Sequence, residues 1–190
     1  MSEDTLFGRD FDAIERGERY ESEPRRIDQD EVNAFGALTG DQHPLHVDPK
    51  WAASGPFGQT VAHGMLILSC ALGSLPIDPS RVLALRSIRE AVFKRPLVVG
   101  EAITVNCRVS DLRALDDDAG LVECGWRILG DDGRLRARAT VEIVWRRGAG
   151  INPSLAAAGR ATLEPAPGDP GRADELTPVE VTEGGVRVLI

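Results

Sequence analysis

At 190 residues, the chain is long enough for one domain with a substantial hydrophobic core, or for one domain and a tail. Hydrophobic residues make up 42% of it and charged residues 27%, a balance typical of soluble globular proteins. The formal net charge of −8 argues against a nucleic-acid partner held by phosphate attraction. The longest apolar run, residues 65–75, is too short to span a bilayer.

The first 25 residues are mostly polar, with an extended lead-in at "RYESEPRRI", and they lack the apolar segment of a signal peptide. The three cysteines lie in apolar sequence and form no C-x-x-C pair, which argues against a disulfide framework and a zinc ribbon. We therefore expect a cytoplasmic protein in which Cys70 fills the core rather than acting as a nucleophile.

A helix is predicted over "DQDEVNAFGALTG", where apolar residues recur at three-residue spacing. Asp28 or Asp30 can cap its start, and Gly40 stands where a C-cap belongs. The residues expected on its apolar face are Val32, Phe35 and Leu38.

The polar stretch that follows, residues 39–48, predicts a turn, after which Asp48 and Pro49 begin a short helix. The next segment, "HGMLILSCALGSL", is apolar nearly all round, which predicts a helix buried on every side. Pro76 and Pro79 end it.

The second half of the chain has the two-residue period of strands that are buried on one face. "VLALRSIREAVFKRPLVVG" predicts one strand, and "AITVNCRVSDL", "GLVECGWRIL" and "GRLRARATVEIVW" predict three more. Asp132-Gly133 is a hairpin signal between the last two. The arginines of "RLRARA" fall on the outer face, where we expect them to be solvated. Together these elements predict an α+β fold, a strongly curved antiparallel sheet wrapped around one long buried helix.

This domain is expected to span residues 10–147. Residues 148–190 are rich in glycine and proline and predict an appended tail. The final segment, "VEVTEGGVRVLI", predicts a short hairpin that docks back.

The stretch "TGDQHPLHVD" places two of the chain's three histidines beside two aspartates. It could be a polar turn whose histidines have no chemical role. It could be a metal site made by His43, His46, Asp48 and His63, although an H-x-x-H pair by itself falls short of a zinc set. It could also be an acid–base pair, Asp41 and His46, brought together across the bend. The pattern alone leaves all three open.

Residues 35–52, "FGALTGDQHPLHVDPKWA", resemble the signature of the MaoC-like (R)-specific enoyl-CoA hydratases, also called hydratase 2. "FGQTVAHGMLILS" and "FKRPLVVGEAITVNCRV" resemble two further stretches of that family, so the resemblance covers about residues 10–147. It implies a hot-dog fold, in which an antiparallel sheet wraps a long helix. It also implies a homodimer with acyl-thioester sites near the subunit boundary.

The reaction that the resemblance implies is the reversible hydration of trans-2-enoyl thioesters to (R)-3-hydroxyacyl thioesters. By position, Asp41 and His46 match the family's catalytic pair, and Gly64 matches the glycine whose N–H polarises the thioester carbonyl. We expect no metal and no separate cofactor, because coenzyme A or phosphopantetheine would be part of the acyl-CoA or acyl-carrier-protein substrate.

Four more residues are candidates for binding substrate. His43 stands where the family has asparagine, and His63 precedes Gly64 but could instead bond to backbone at the helix start. Lys94 and Arg95 could receive the phosphates of coenzyme A, or could belong to a solvated strand face. The other members of this basic group are Arg81, Arg86 and Arg89.

Two rival functions stay open at the level of sequence. A thioesterase on the same fold would use a carboxylate and a backbone donor, but would not need Asp41 and His46 at this spacing. A catalytically silent hot-dog protein would bind acyl thioesters or a partner subunit. His43 in place of asparagine and the long tail favour that rival, whereas the intact Asp41 and His46 count against it.

Overall fold

The computed structural model describes residues 5–148 and the backbone of two later strands, 180–183 and 186–189. Within residues 5–148, one antiparallel sheet contains six strands. They are β1 (Arg19–Glu21), β2 (Arg25–Arg26), β3 (Val82–Phe93), β4 (Ala102–Ala114), β5 (Ala119–Gly130) and β6 (Leu135–Arg146). Their order is β1-β4-β5-β6-β3, and β2 also pairs with β4. The strand predictions are therefore confirmed, and β3 forms one edge of the sheet.

Four α-helices accompany this sheet in the same part of the chain. They are α1 (Gln29–Thr39), α2 (Pro44–Val47), α3 (Pro49–Ala53) and α4 (Gly64–Gly73). Two short 3-10 helices, Leu6–Gly8 and Phe11–Ala13, precede them. None of the helices in the described residues has the length and apolar character needed to cross a bilayer.

The ends of α1 follow from its sequence. The Asp28 carboxylate accepts a hydrogen bond from the Glu31 N–H at 2.9 Å, and the Glu31 carboxylate accepts from the Asp28 N–H at 3.1 Å. This reciprocal capping box satisfies two donors at the helix start. Gly40 ends the helix in the left-handed conformation, with φ 80°, which glycine adopts without a steric penalty. Of the expected apolar face, Val32 is buried, but Leu38 is 84% exposed.

The sheet and α4 share one hydrophobic core. Leu66, Ile67 and Ala71 of α4 belong to the same buried cluster as the inward-facing side chains of β4, β5 and β6, among them Val109, Trp126 and Trp145. A sheet around a helix is the arrangement that the sequence predicts. The prediction that α4 is buried on every side is wrong for the described residues, because Met65 is 57% exposed and Ser69 lies on the same exposed stripe.

The extended lead-in expected at "RYESEPRRI" is present as β1 and β2, but the segment before it is not the polar stretch that the sequence suggests. Leu6, Phe7, Phe11 and Ile14 are all buried, and they close one end of the core. The Phe11 ring lies against Gly120, where an added Cβ would meet ring atoms at 2.4 Å. Apolar residues in short 3-10 turns have neither a helical nor a strand period, so pattern analysis overlooks them.

Arg136, on β6, corrects the expectation that the "RLRARA" arginines are solvated. It is only 5% exposed and forms ion pairs with Glu101 at 3.0 Å and Asp132 at 3.1 Å. Its guanidinium lies over Gly130, where a Cβ would come within 2.6 Å. Arg138, two residues along, is exposed as expected.

By internal contacts the chain divides into two units, residues 1–149 and 150–190. In the second unit, β7 (Glu180–Glu183) pairs antiparallel with β8 (Val186–Leu189), which is the hairpin predicted for this segment. The docking of that hairpin stays a prediction.

Candidate active site

The loop after α1 carries Asp41 and His46. It is not the simple turn that the sequence predicts, because residues 44–47 form the one-turn helix α2, and His46 lies on it. His43 is the N-cap of α2, where its Nδ1 accepts the Leu45 N–H at 3.2 Å. Asp48 caps α3 in the same way, accepting the N–H groups of residues 50 and 51. These two side chains therefore shape the loop.

His46 is held at both its ring and its backbone. The ring Nδ1 lies 2.7 Å from the Val61 carbonyl oxygen, and since a carbonyl can only accept, Nδ1 carries the proton. In the neutral ring, Nε2 is then the nitrogen with a free lone pair. The His46 carbonyl accepts from Gln29 Nε2 at 3.0 Å, and Thr60 donates to the same Gln29 side chain. No sequence pattern predicted Gln29, Thr60 or Val61 as supports of this ring.

His63 is 2% exposed and contacts both members of the pair. Its Nε2 donates to the Asp41 carbonyl oxygen at 2.9 Å, the backbone bond that the sequence allowed. Its ring stacks on that of His46, with centroids 3.9 Å apart and planes inclined by 27°. The Phe35 ring also contacts the His63 ring, at a centroid distance of 5.1 Å. His63 Nδ1 is buried with no hydrogen-bond partner among the described residues.

Asp41, His46 and His63 thus form one cluster. A carboxylate oxygen of Asp41 and one nitrogen from each ring lie within 4.8 Å of one another. Asp41 is exposed, His46 half-buried and His63 buried, so the cluster faces solvent through Asp41. A single water molecule can bridge two polar atoms at such a separation.

The distances in this cluster would also suit a metal ion, but the ring geometry does not. An ion bound by two imidazoles lies close to the plane of each ring, whereas the His46 and His63 planes are nearly parallel. In addition, the Nε2 proton of His63 is committed to the Asp41 carbonyl. The predicted metal set also fails to assemble, since His43 and Asp48 cap helices instead.

Gly64 begins α4 beside this cluster. The N-cap residue, His63, makes no side-chain capping bond, and no other side chain of the described residues is seen to accept from the first turn. This helix start also carries the positive end of the helix dipole. An added Cβ on Gly64 would meet the Phe93 ring at 2.7 Å, so the absence of a side chain allows Phe93 to pack against the first residue of α4. The sequence did not single out Phe93.

Gly64 lies in an open cleft of about 380 Å³. Lys94 and Arg95 line the cleft and are exposed, with Arg95 donating to the Leu135 carbonyl at 3.2 Å. The apolar part of the lining is made by Phe57, Val61, Ala62, Ile67, Phe93, Pro96 and Leu97. One cleft therefore combines a free helix start, an apolar wall and two cations.

Cys70, on the same helix, is buried and free. Burial raises the pKa of its thiol, which keeps it protonated and a poor nucleophile. Its expected role in core filling is confirmed.

The family model described as "MaoC like domain" matches residues 11–124, which is more than half of the chain. The chain belongs to the MaoC-like family.

Named relatives of this MaoC-like protein include the 3-hydroxyacyl-thioester dehydratase Z of Mycobacterium tuberculosis, 36% identical over 85 residues. That match covers 40% of this chain and 54% of the relative, so the chain spans about half of its length. The solved (R)-hydratase of A. caviae, described as involved in PHA biosynthesis, is 29% identical. It has a TM-score of 0.60 and covers 69% of this chain and 96% of its own.

The MaoC-like protein has the hot-dog fold. A Mycobacterium tuberculosis structure described as a double hot-dog fold superposes with a TM-score of 0.67, at 20% identity, over 76% of this chain and 46% of its own. The fold expected from the resemblance is therefore confirmed.

Proposed function

We propose that this protein catalyses the reversible hydration of trans-2-enoyl thioesters to (R)-3-hydroxyacyl thioesters. The observation that carries the proposal is the convergence of Asp41 and His46, within 4.8 Å, next to the uncapped start of α4 at Gly64. The structural similarity to the A. caviae (R)-hydratase supports the reaction class. The three free, buried cysteines support a reducing, cytoplasmic location.

Asp41 and His46 would hold the reacting water between them. The His46 Nε2 lone pair and the Asp41 carboxylate can each accept one of its protons. One proton leaves the water as its oxygen bonds to Cβ of the enoyl group. A proton is then delivered from the pair to Cα, so that the net change is addition of H and OH across the double bond.

Gly64 would stabilise the intermediate between these two steps. When water attacks Cβ, the electrons of the double bond move toward the thioester oxygen, which becomes an enolate. The N–H groups at the start of α4 have no side-chain acceptor within residues 5–148 and can donate to that oxygen. The helix dipole adds to this stabilisation, since its positive end points at the same place.

His63 acts on the pair rather than on substrate in this proposal. It is buried, donates to the Asp41 backbone and supports the His46 ring by stacking. We therefore propose His63 as a positioning residue, instead of the substrate contact that the sequence suggested. His43 stays a candidate contact at the rim of the loop.

The apolar cleft beside Gly64 would hold the thioester end of the acyl chain. Lys94 and Arg95 at its edge would pair with phosphate of coenzyme A or of a carrier protein's phosphopantetheine arm.

We further propose that the protein is a homodimer. Strand β3 is an edge of the sheet among the described residues, and an open edge readily pairs with another strand. It exposes Leu85, Ile88 and Phe93 by 39%, 37% and 47%. Phe93 also lines the cleft next to Lys94, so a dimer through this strand would complete the surroundings of the site.

The test is the loss of conjugated-enoyl absorbance of crotonyl-CoA and of a longer trans-2-enoyl-CoA, with chiral analysis of the product. We expect turnover to give the (R)-alcohol and to fall by about 100-fold or more in Asp41→Asn and in His46→Gln. Asp48→Asn is the matched control, since it changes a carboxylate of the same loop that caps a helix, and its turnover should be preserved. Circular dichroism would establish that all variants are folded.

Thiol release, followed in the same reactions, distinguishes the hydratase from the two alternative functions, a thioesterase and a silent binding protein. Release of coenzyme A without hydration would identify a thioesterase. Absence of both reactions with CoA and carrier-protein substrates would leave a silent binding protein and overturn the proposal.

A further inference from the structure

The outer face of the sheet, opposite α4, carries a group of arginines that the proposed reaction does not use. Residues directly opposite each other on neighbouring strands share a face of the sheet. Arg19 on β1 lies opposite Arg108 on β4, and Arg127 on β5 lies opposite Arg138 on β6. All four side chains are exposed. We call this set, with Gly125 at its centre, the arginine groove.

The two arginine pairs are neighbours. Arg108 lies opposite Gly125, which is two residues from Arg127 on the same strand. Such diagonal positions are about 7–8 Å apart in an antiparallel pair. Arginine side chains can therefore converge from both sides on the space above Gly125.

This arrangement costs stability within the fold itself. Like charges directly opposite each other on a sheet destabilise it, and the arginine groove contains two such pairs in a protein of net charge −8. Within residues 5–148, none of the four arginines forms an ion pair with an acidic side chain. Departures from local rules of this kind are expected where a site has a function.

Gly125 provides a second, independent observation. A Cβ added there would meet nothing closer than the Arg108 carbonyl oxygen, at 4.0 Å. Packing therefore does not require glycine at this position, although glycine weakens the middle of a strand. A strand glycine without a side chain leaves room for close approach by a ligand or another chain.

The surface above Gly125 is concave. Two adjoining cavities of about 510 and 260 Å³ share Arg108, Gly125 and Arg127 in their linings. The larger also contains Arg16, which pairs with Asp111, and one acidic residue, Glu90. Another acidic side chain, Glu21, lies opposite Asn106 at the edge. The net charge of the residues that line the groove is positive, and its volume is that of a small-molecule site.

We propose that the arginine groove binds a small anion with two linked phosphoryl groups, separately from the thioester site. A guanidinium donates two parallel hydrogen bonds to one phosphoryl group, so two arginine pairs match two groups. An acidic protein partner with a flat surface could bind these arginines without a cavity. The presence of a cavity therefore favours a small ligand.

The test is calorimetric titration of the full chain with pyrophosphate, ADP, AMP and orthophosphate. We expect pyrophosphate and ADP to bind at least about tenfold more tightly than the single-phosphate probes. The double variant Arg127→Gln/Arg138→Gln should weaken that binding by about tenfold or more. Gly125→Val should abolish it by filling the groove, while a valine suits the strand. The control Arg86→Gln/Arg113→Gln removes the same charge from exposed residues outside the groove and should bind normally.

Three results would overturn the proposal. Equal weakening in the groove variant and the charge-matched control would indicate general electrostatic attraction. Binding of poly-glutamate but not of pyrophosphate or ADP would identify a protein-contact surface. A rise in the KM for crotonyl-CoA in the groove variants would make the groove part of the thioester site.

Discussion

The imidazole of His63 is stacked on that of His46, with ring centroids 3.9 Å apart. The same His63 ring donates a hydrogen bond to the Asp41 carbonyl. One buried side chain therefore contacts both residues proposed to hold the reacting water. Its other nitrogen, Nδ1, has no hydrogen-bond partner among the described residues.

His63→Phe should keep the stacking and remove the bond to Asp41. We expect kcat to fall about fivefold with little change in KM, because a hydrogen bond of about 1 kcal/mol positions the loop and does not bind substrate. His63→Gln keeps a donor but loses the ring, and should recover part of kcat. An unchanged kcat in a folded Phe variant would remove His63 from the proposed mechanism.

Gly64→Ala should lower kcat/KM for crotonyl-CoA about tenfold or more. The new methyl group would meet the Phe93 ring, and the ring would move into the cleft beside the donor N–H groups. Phe93 is 47% exposed rather than part of the buried core, so the free energy of unfolding should change by less than about 1 kcal/mol. The double variant Gly64→Ala/Phe93→Ala tells the two causes apart. Recovery of activity would assign the loss to the ring, and no recovery would assign it to the methyl group at the N–H.

Arg136→Met should destabilise the fold by about 2 kcal/mol in urea denaturation. Removing the guanidinium leaves Glu101 and Asp132 without their buried partner, and their partial exposure reduces the cost below that of a fully buried pair. Arg138→Met, on the same strand and face but exposed, should change stability by less than about 0.5 kcal/mol. Equal effects in the two variants would show that the ion pairs of Arg136 contribute nothing.

The carboxyl group of Asp132 should make the free energy of unfolding decrease at acid pH. The Arg134 N–H, with the nearby Arg136 guanidinium, holds the pKa of this carboxyl below its ordinary value. A lowered folded-state pKa stabilises the fold above the unfolded value, about 3.9, and that stability is lost as pH falls through the folded value. Wild type should therefore exceed Asp132→Asn in unfolding free energy at pH 7, and the difference should shrink below about pH 4. A difference that stays constant down to pH 2.5 would contradict this.

Ile88→Glu should dissociate the proposed homodimer, since it places a charge in the middle of the exposed edge strand β3. Sedimentation velocity would measure the shift from dimer to monomer. Leu115→Glu is the matched control, because Leu115 is a similarly exposed apolar residue in the turn between β4 and β5. Dissociation by both variants, or by neither, would exclude β3 as the contact.

Local sequence was sufficient wherever neighbouring residues decide the structure. The capping box at Asp28, the left-handed Gly40, the start of α3 at Asp48 and the turn at Asp132-Gly133 all depend on residues within a few positions. The alternation of β4, β5 and β6 likewise predicted their inward faces. The resemblance then identified the family and its fold, and named Asp41, His46 and Gly64 as the residues to examine.

Tertiary structure decided what distant segments do to one another. The alternating pattern of β6 places Arg136 and Arg138 on the same face and predicts the same exposure for both. Arg136 is buried because Glu101 approaches it and because Gly130, beneath its guanidinium, has no side chain. His63 is 22 residues from Asp41, and no local pattern shows that its ring contacts both Asp41 and His46. Register alone placed Arg108 beside Arg127 on neighbouring strands. Burial, stacking and charge pairing depend on groups that only folding brings together. Helix caps, turns and hydrophobic periodicity depend on residues that are close in sequence, so the sequence alone predicts them.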